Sequence, residues 1–454
     1  MNASIKNLLG KIPLPPYYHL GKNGYAIPKD NGGTSTVGRQ SFLIHLEKAG
    51  YPSNGLAPDY PENQMEMALT RIEKEQSVDW CGRLAGRHQG LRRVGTRDLL
   101  VQGGPIMAAA SPTHCDELLC LLAQVLGMEP IANRSLSPFH LFCHWLKRSR
   151  RMIREGKWCE GQAIVFCGPV DSFKSFIQGA IITPPIGQEA FPTQFLKGGT
   201  GFNSDLVGAE HLRIDDAAPP MESRDRSEWA NVMKQFVMER NRRLHGKGTD
   251  ALMVDPLQRV SIACNDSGEG YRLIPRISRD NRDKFLVFRT RVPELARQFH
   301  SEDERRAYAE NLASQLPGFL HLVDNLGPVP QTDVDLRFGI RGHIDASLEL
   351  LVNDDQPEDI LLSMLDQNLP PGAVPIEGTG QEVYRRLEQE GCASFLRLSG
   401  KETPGAAVAK WLVQLSQDPD HAGRISVIRS GPPKRFRIAP LEGEHTTRAG
   451  GEGG

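Results

Sequence analysis

An α/β layer domain built on a mostly parallel sheet is the fold class that this sequence predicts, and three observations predict it. An apolar run, Gln162–Cys167, meets Gly168-Pro169 and then a helical pattern from Lys174, which is the order strand, loop, helix. Two further apolar pulses, Leu212–Ile214 and Arg259–Cys264, read as strands. Between them Trp229, Val232, Met233, Phe236 and Val237 fall at i, i+3, i+4, i+7 and i+8 of a helix. Strands that alternate with helices pack as a sheet covered by helices, and the domain runs over 156–325.

The remaining chain is read around that domain. Its 454 residues suit two to three domains, and 39% hydrophobic with 24% charged residues is ordinary globular usage. Residues 1–100 are rich in turn formers (Pro13, Pro15, Pro16, Asn31-Gly32-Gly33) with short candidate strands at Tyr17–Leu20 and Tyr25–Ile27, hence a small α+β module. Asp116–Met128 and Pro138–Arg154 carry the helical period, so 101–155 is a helical connector, its second helix ending in the basic cluster Lys147, Arg148, Arg150, Arg151 and Arg154. Glu302–Leu316 reads as a helix and Leu326–Asp335, with Gly327, Pro328 and Pro330, as a linker. Over 335–440, helical patterns at Pro357–Gln367, Gly380–Gln389 and Ala406–Leu415 precede a hairpin, Arg424–Arg429 and Arg435–Ile438, which suggests a winged helix. Residues 441–454 lack apolar content and are expected to be disordered.

Charge and cysteine usage exclude some classes. With 54 basic and 55 acidic residues no global field attracts a polyanion, so any nucleic-acid surface is local. The longest mainly apolar stretch, Leu118–Met128, is too short to span a bilayer and Met1–Ile12 has no signal-peptide core, so a cytoplasmic protein is expected. Eight cysteines lie scattered without paired CxxC modules, which argues for reduced thiols. His114, Cys115, Cys120, His140, Cys143 and His144 have zinc-ligand chemistry but lie in apolar helical patterns, so core packing is the expectation.

Three short strings carry chemistry. In GPVDSFKS, Gly168, Lys174 and Ser175 have the spacing of a phosphate loop, in which backbone N–H groups surround phosphates, the lysine reaches the outer ones and the hydroxyl holds Mg²⁺. Pro169, Ser172 and Phe173 complete the loop, and Phe173 replaces the glycine that normally precedes the lysine. The alternative is a Gly-Pro turn opening a helix. Asp215-Asp216 follows the strand HLRI, where one carboxylate can bind Mg²⁺ and its neighbour polarise water, or where the pair is a turn or cap. Asn265 ends RVSIACN, where a neutral amide can orient water or sense a phosphate, or simply start a turn.

In order and spacing, GPVDSFKS, then HLRIDDA, then RVSIACND, with His245-Gly246-Lys247-Gly248 between the last two, resemble a superfamily 3 helicase domain similar to primase-helicase proteins of phages, plasmids and poxviruses. Counting WCGRLAGRHQGLRRVGTRDLLV before it and the winged-helix-like segment after it, the resemblance covers roughly residues 80–440. It implies an AAA+-like P-loop NTPase that uses ATP and Mg²⁺. Lys174 would bind the β/γ-phosphates, Ser175 and Asp215 the metal, Asp216 the attacking water, and Asn265 would sense the γ-phosphate. It also implies a homo-oligomeric ring, a hexamer, in which an arginine of one subunit completes the neighbouring site. Among Arg272, Arg276, Arg279 and Arg282, the best placed are Arg276 and Arg279, 11 and 14 residues past Asn265, unless they form a solvated charged loop. Lys247 with Arg242 and Arg243 would form a pore hairpin on single-stranded or forked DNA, and Lys434 and Arg435, with Arg429 and Arg437, would contact duplex from the wing. No primase site precedes the helicase region, so a separate primase or polymerase is the expected partner in replication of a phage or mobile element. Rival readings are a catalytically weakened nucleotide- and DNA-binding adaptor, suggested by Phe173, and a small-molecule kinase.

Overall fold

The computed structural model describes residues 17–28, 34–48, 64–196, 203–215, 233–245, 251–267, 270–275, 277, 281–294, 301–352, 357–370, 372–389, 403–417 and 423–440. Contacts divide the chain into two compact units, Met1–Asp345 and Ala346–Gly454.

The first unit opens with β1 (Tyr17–His19), β2 (Gly24–Pro28) and β3 (Thr34–Val37), then helices α1 (Arg39–Lys48) and α2 (Gln64–Glu75) and β4 (Ser77–Val78). The four strands form one sheet in the order β3-β2-β1-β4. Tyr25, Ile27, Phe42, Leu46, Leu69 and Ile72 join it to the two helices. A second small sheet pairs β5 (Trp80–Gly82) and β6 (Gly90–Val94) with β7 (Arg97–Val101).

Two helices follow. In α3 (Asp116–Leu126) the buried residues Leu118, Leu121, Leu122 and Val125 make one stripe, and Asp116 with Glu117 complements the positive N-terminal end of the helix dipole. Helix α4 (Pro138–Glu155) has clear local start and stop signals. Ser137 caps it by accepting from the His140 N–H, Pro138 opens it, and Gly156 ends it at φ 61°.

The main sheet collects β8 (Ala163–Gly168), β9 (Glu189–Ala190), β10 (His211–Ile214), β13 (Arg259–Asn265), β14 (Phe285–Arg289) and β15 (His343–Ile344). Its order is β15-β14-β8-β13-β10-β9 and every pairing is parallel. A parallel sheet is covered on both faces, so its central strands must be apolar throughout. Strand β8 is buried at all six positions, and β13 at all but Asn265. Between β10 and β13, β11 (Arg242–Leu244) and β12 (Leu252–Val254) form a separate antiparallel hairpin. One core joins the sheet to α3, α4, the helix that begins at Lys174 and the helix Leu316–Asp324, through Leu121, Phe142, Leu146, Phe166, Ile181, Phe288 and Phe319. Helix α5 starts as Lys174–Phe176, widens into a π-helical stretch over Ile177–Ile182 and closes with Thr183–Ile186. Helices α6 (Glu302–Ser314) and α7 (Leu316–Asp324) follow β14. Cys115 and Cys143 lie within this core, where burial raises both thiol pKa values.

Leu326–Asp335, expected as a linker, is fastened to the domain instead. Asp333 is buried and accepts from Arg134 Nε at 2.6 Å and from the Ser135 N–H at 2.9 Å, and beyond it β15 adds the edge strand of the main sheet. Prolines mark irregular backbone, not freedom, and a buried carboxylate needs donors that a loose linker would not keep in place.

The second unit holds α8 (Pro357–Asn368), β16 (Ile376–Thr379), α9 (Gly380–Gln389), α10 (Pro404–Gln417), β17 (Ile425–Arg429) and β18 (Arg435–Ile438). Its strands form an antiparallel sheet in the order β16-β18-β17. Leu361, Leu365, Val383, Leu387, Trp411, Phe436 and Ile438 make a core of their own. Thr379 and Glu382 form a reciprocal capping box at the start of α9. No described helix is long and apolar enough to cross a membrane.

Candidate nucleotide-binding site at the strand ends

In an open parallel sheet the crevice lies at the carboxyl ends of the strands, where connections from neighbouring strands diverge. The chain runs from β8 across to β9, returns through β10 and β13, and then places β14 on the other side of β8. The loop after β8 therefore opens at that divide, and it is GPVDSFKS.

Lys174 is the centre of this loop. Its side chain is buried, and Nζ donates to Gly168 O at 2.9 Å, Pro169 O at 2.6 Å, Ser172 Oγ at 3.2 Å and Asn265 Oδ1 at 3.2 Å. Gly168 and Asn265 are register partners on adjacent strands, so two residues 97 positions apart meet at one level of the sheet. Ser172 Oγ donates to Pro169 O at 2.8 Å and shares a hydrogen bond with Thr290 Oγ1 at 2.9 Å, which ties the loop to the end of β14. Gly168 has no room for a side chain, because a Cβ would stand 2.2 Å from Thr290 Oγ1 and 2.4 Å from Thr290 O.

Phe173 shows why a glycine belongs at its position. It and Asp171 are in the left-handed region, at φ 57° and 65°, a conformation that costs an L-residue roughly 1–2 kcal/mol. Helix α6 holds both. Tyr308 meets the Phe173 ring edge-on at 6.4 Å, Phe176 does so at 5.9 Å, and Arg305 pairs with Asp171 at 2.7 Å. The Phe173 ring thus packs into the side of the domain and the loop keeps its form.

Asp215 follows the last residue of β10, with β13 between it and β8, and is half-buried. Its strand is fixed by buried polar groups that sequence reasoning passed over. Gln178, one turn after Lys174, donates to Ile214 O at 3.0 Å and Ser261 Oγ at 2.8 Å. His211 bridges Thr183 Oγ1 and Ser261 Oγ, both at 2.7 Å, and burial, assisted by Arg213, lowers its pKa to about 3, so it is neutral. The available signal was a glutamine and a histidine inside otherwise apolar runs. Arg289, level with Cys167 at the end of β14, pairs with Asp266 at 3.3 Å and was also passed over.

The segment Trp80–Gly90 docks onto this domain through one part-buried and one buried ion pair. Arg83 meets Glu210 at 3.1 Å, and Arg87 meets Asp255 at 2.9 Å.

The other expected positions divide. Ser175 is exposed on the first turn of α5. Asp216, Lys247, Arg276 and Arg279 lie outside the described residues, as do 441–454. Arg243 is exposed on β11, and Lys434 and Arg435 are exposed at the β17–β18 turn. Arg242 is turned inward, donating to Gln258 Oε1 and Phe236 O with its guanidinium 4.5 Å from the Phe236 ring centre. Burial, only partly offset by Glu239, lowers its pKa to about 9. Both terminal nitrogens are engaged within the fold and Nε is buried, so Arg242 leaves the proposed nucleic-acid set.

These residues fit a nucleoside triphosphate. A buried ammonium that now rests on carbonyl oxygens stands ready for phosphate oxygens, at a helix start and beside a glycine with no space for a Cβ. Mg²⁺ bound with a triphosphate takes one or two protein ligands and keeps several waters. Ser175 and Asp215 can supply such ligands, and among the described residues no group of three His, Cys, Asp or Glu side chains converges as a metal cage.

No family model and no curated protein sequence matches the chain. Among solved structures, the apo C-terminal region of NrS-1 is similar over 96% of this chain and 98% of that one, with a TM-score of 0.56 and 11% identity. A second apo structure of that region, spanning 305–718, has the same coverage and TM-score at 12% identity. JCV helicase also matches, over 47% of this chain and 56% of that one at 13% identity, but its TM-score of 0.29 is too low to inform the site. At these identities the likeness is one of fold, and this chain shares the mixed α/β fold of the NrS-1 C-terminal region over nearly its whole length.

Proposed function

We propose that the chain is an ATP-dependent, ring-forming DNA helicase or translocase of the superfamily 3 type, acting in replication of a phage or mobile element. The observation that carries this reading is Lys174 Nζ within 3.2 Å of Asn265 Oδ1 at the carboxyl ends of adjacent parallel strands. A nucleotide motor needs a cation for the phosphates and a neutral amide to register their state, held on rigid elements. In this reading Lys174 and the loop residues Gly168, Pro169, Ser172 and Phe173 cradle ATP. Ser175 and Asp215 hold Mg²⁺, which would neutralise charge on the phosphates, and Asp216 orients water. Arg276 or Arg279 completes the neighbouring subunit's site in a hexamer. Lys247 and Arg243 line the pore. The second unit acts as a winged helix whose Lys434 and Arg435 contact duplex, and a separate primase or polymerase supplies synthesis.

The test is Mg²⁺-dependent phosphate release with and without single-stranded DNA, together with nucleotide titration and imaging of particles with ATP. Lys174→Ala is expected to lose nucleotide binding. Asp215→Asn is expected to bind but to turn over at least 100-fold more slowly. Mixing the Arg276→Ala or Arg279→Ala protein with Lys174→Ala subunits is expected to restore some turnover at hybrid interfaces. Wild-type turnover in Asp215→Asn removes that residue from the site. Absence of ATP binding by the folded wild-type protein with Mg²⁺ and DNA present defeats the motor. The adaptor reading is favoured by Phe173 at a left-handed position, and ATP binding without phosphate release by six-fold particles would select it.

A further inference from the structure

The basic cluster of α4 has no part in the nucleotide site, and the structure divides it into two faces. Arg150 and Arg154 both reach Asp324 Oδ2, at 3.2 and 3.3 Å, and so meet an acid. His144, Lys147, Arg148 and Arg151 stand at i, i+3, i+4 and i+7 on another face. These four line an open cavity of about 240 Å³ together with Leu326–Val329 and Gly339-Ile340, and no carboxylate is among its lining residues.

The cavity is built. Lys147 Nζ donates to Leu326 O, and Arg148 donates from Nε to Glu160 O at 3.0 Å and from Nη2 to Arg337 O at 3.1 Å. Carbonyls thus orient the two cations without cancelling their charge. Gly339, at φ 82°, lies against the guanidinium, and a Cβ there would stand 2.7 Å from Arg148 Nη1. Arg151 pairs with Glu155 at 3.9 Å between exposed side chains, which is weak screening. The cavity is also remote from Lys174. Gln162, just before β8, accepts from Trp145 Nε1 at 2.8 Å and donates to Ile340 O at 2.6 Å, so this is the amino end of β8. The phosphate loop is at its carboxyl end, about 20 Å away over six strand residues.

We propose that this cavity is a second, separate phosphate-binding site, which takes a phosphoryl group of a nucleic-acid strand or of a free phosphorylated small molecule. An ammonium beside the remaining Nη1 end of the Arg148 guanidinium and the exposed Arg151 suits an array of phosphate oxygens, and a cavity without a lining carboxylate in a chain of net charge −1 selects anions locally.

The experiment uses the full chain carrying Lys174→Ala, so that the phosphate loop does not compete and the outcome does not depend on the motor reading. Pyrophosphate is titrated by calorimetry. A 5′-phosphorylated and an unphosphorylated oligodeoxynucleotide are then tested as competitors. Pyrophosphate is expected to bind, about tenfold more weakly after adding Arg151→Ala and equally after adding Arg154→Ala, the face neutralised by Asp324. Arg148→Lys, which keeps charge and loses the fork, is expected to weaken binding as well. If it fails to fold, the exposed Arg151→Ala decides alone. Competition by both oligonucleotides assigns the site to the strand backbone, competition by the phosphorylated one alone to a terminal phosphate, and competition by neither to a free phosphorylated small molecule. Absence of pyrophosphate binding, or equal loss with Arg151→Ala and Arg154→Ala, overturns the site.

Discussion

The main parallel sheet and the two antiparallel hairpins use polar side chains in opposite ways. At the sheet, Lys174, Gln178 and His211 are buried and held by named partners at 2.6–3.2 Å. On the hairpins, Arg243, Lys434 and Arg435 stand exposed. Buried polar groups act in a low dielectric, where geometry is strict and a missing partner costs several times what it would in water. Exposed cations add long-range attraction and little stability. The difference teaches that the two regions answer different perturbations: protons and strain for the first, salt for the second.

The largest expected effect belongs to His211. Burial keeps it neutral down to about pH 3, whereas the unfolded chain protonates at 6.5. Between those values the unfolded state binds more protons, so this contribution is fully present above 6.5 and lost as the pH falls. The loss amounts to about 5 kcal/mol at the lower end. Urea midpoints at pH 7, 5 and 4 for wild type and His211→Gln check it: wild type should fall more steeply, and parallel profiles would show that the imidazole is not the buried base described.

A smaller effect, within about 1 kcal/mol in either direction, is expected at Phe173. Phe173→Gly relieves the left-handed strain and loses the ring contacts, so stability should change little while ATP turnover rises. In that background Tyr308→Ala should no longer alter nucleotide affinity, whereas in wild type it should weaken it. Calorimetry on the four proteins of this cycle measures the coupling, and full additivity would separate α6 from the loop.

The smallest stability effect is expected on the hairpins. Arg243→Ala, or Lys434→Ala with Arg435→Ala, should change stability by less than about 0.5 kcal/mol. Each phosphate contact removed should lower the salt dependence of DNA binding by about 0.9 in log–log slope on duplex and about 0.7 on single strands, equally across sequences. Anisotropy titrations at several salt concentrations test this, and an unchanged slope would move the interface elsewhere.

Where the candidate site's residues sit was in large part legible, because its signals are local. The run before Gly168, the helical period after Lys174 and the apolar pulse before Asn265 each place one residue at a strand or helix end, and parallel pairing then brings those ends together. Arg242 was not legible. It lies in the same basic string as Arg243, and alternation along β11 sends one to Gln258 and the Phe236 ring and the other to solvent. The proline-marked stretch before Asp335 misled for a related reason, since turn formers report backbone shape and the buried partner of Asp333 is 199 residues away.

What the sequence by itself determined is therefore what depends on neighbours within a few residues: the strand–loop–helix around Lys174, the capped helix Pro138–Glu155 and the apolar central strands. Tertiary structure alone decided which polar group meets which. It set Asn265 against Lys174, His211 between Thr183 and Ser261, Arg87 on Asp255, and two of the five α4 cations on Asp324 with the other three around a cavity. The physical reason is that periodicity and capping are read within a turn or two of chain. The partner of a buried charge, by contrast, is chosen by the closure of loops of about a hundred residues, whose entropic cost grows only slowly with length and so leaves no mark on local sequence.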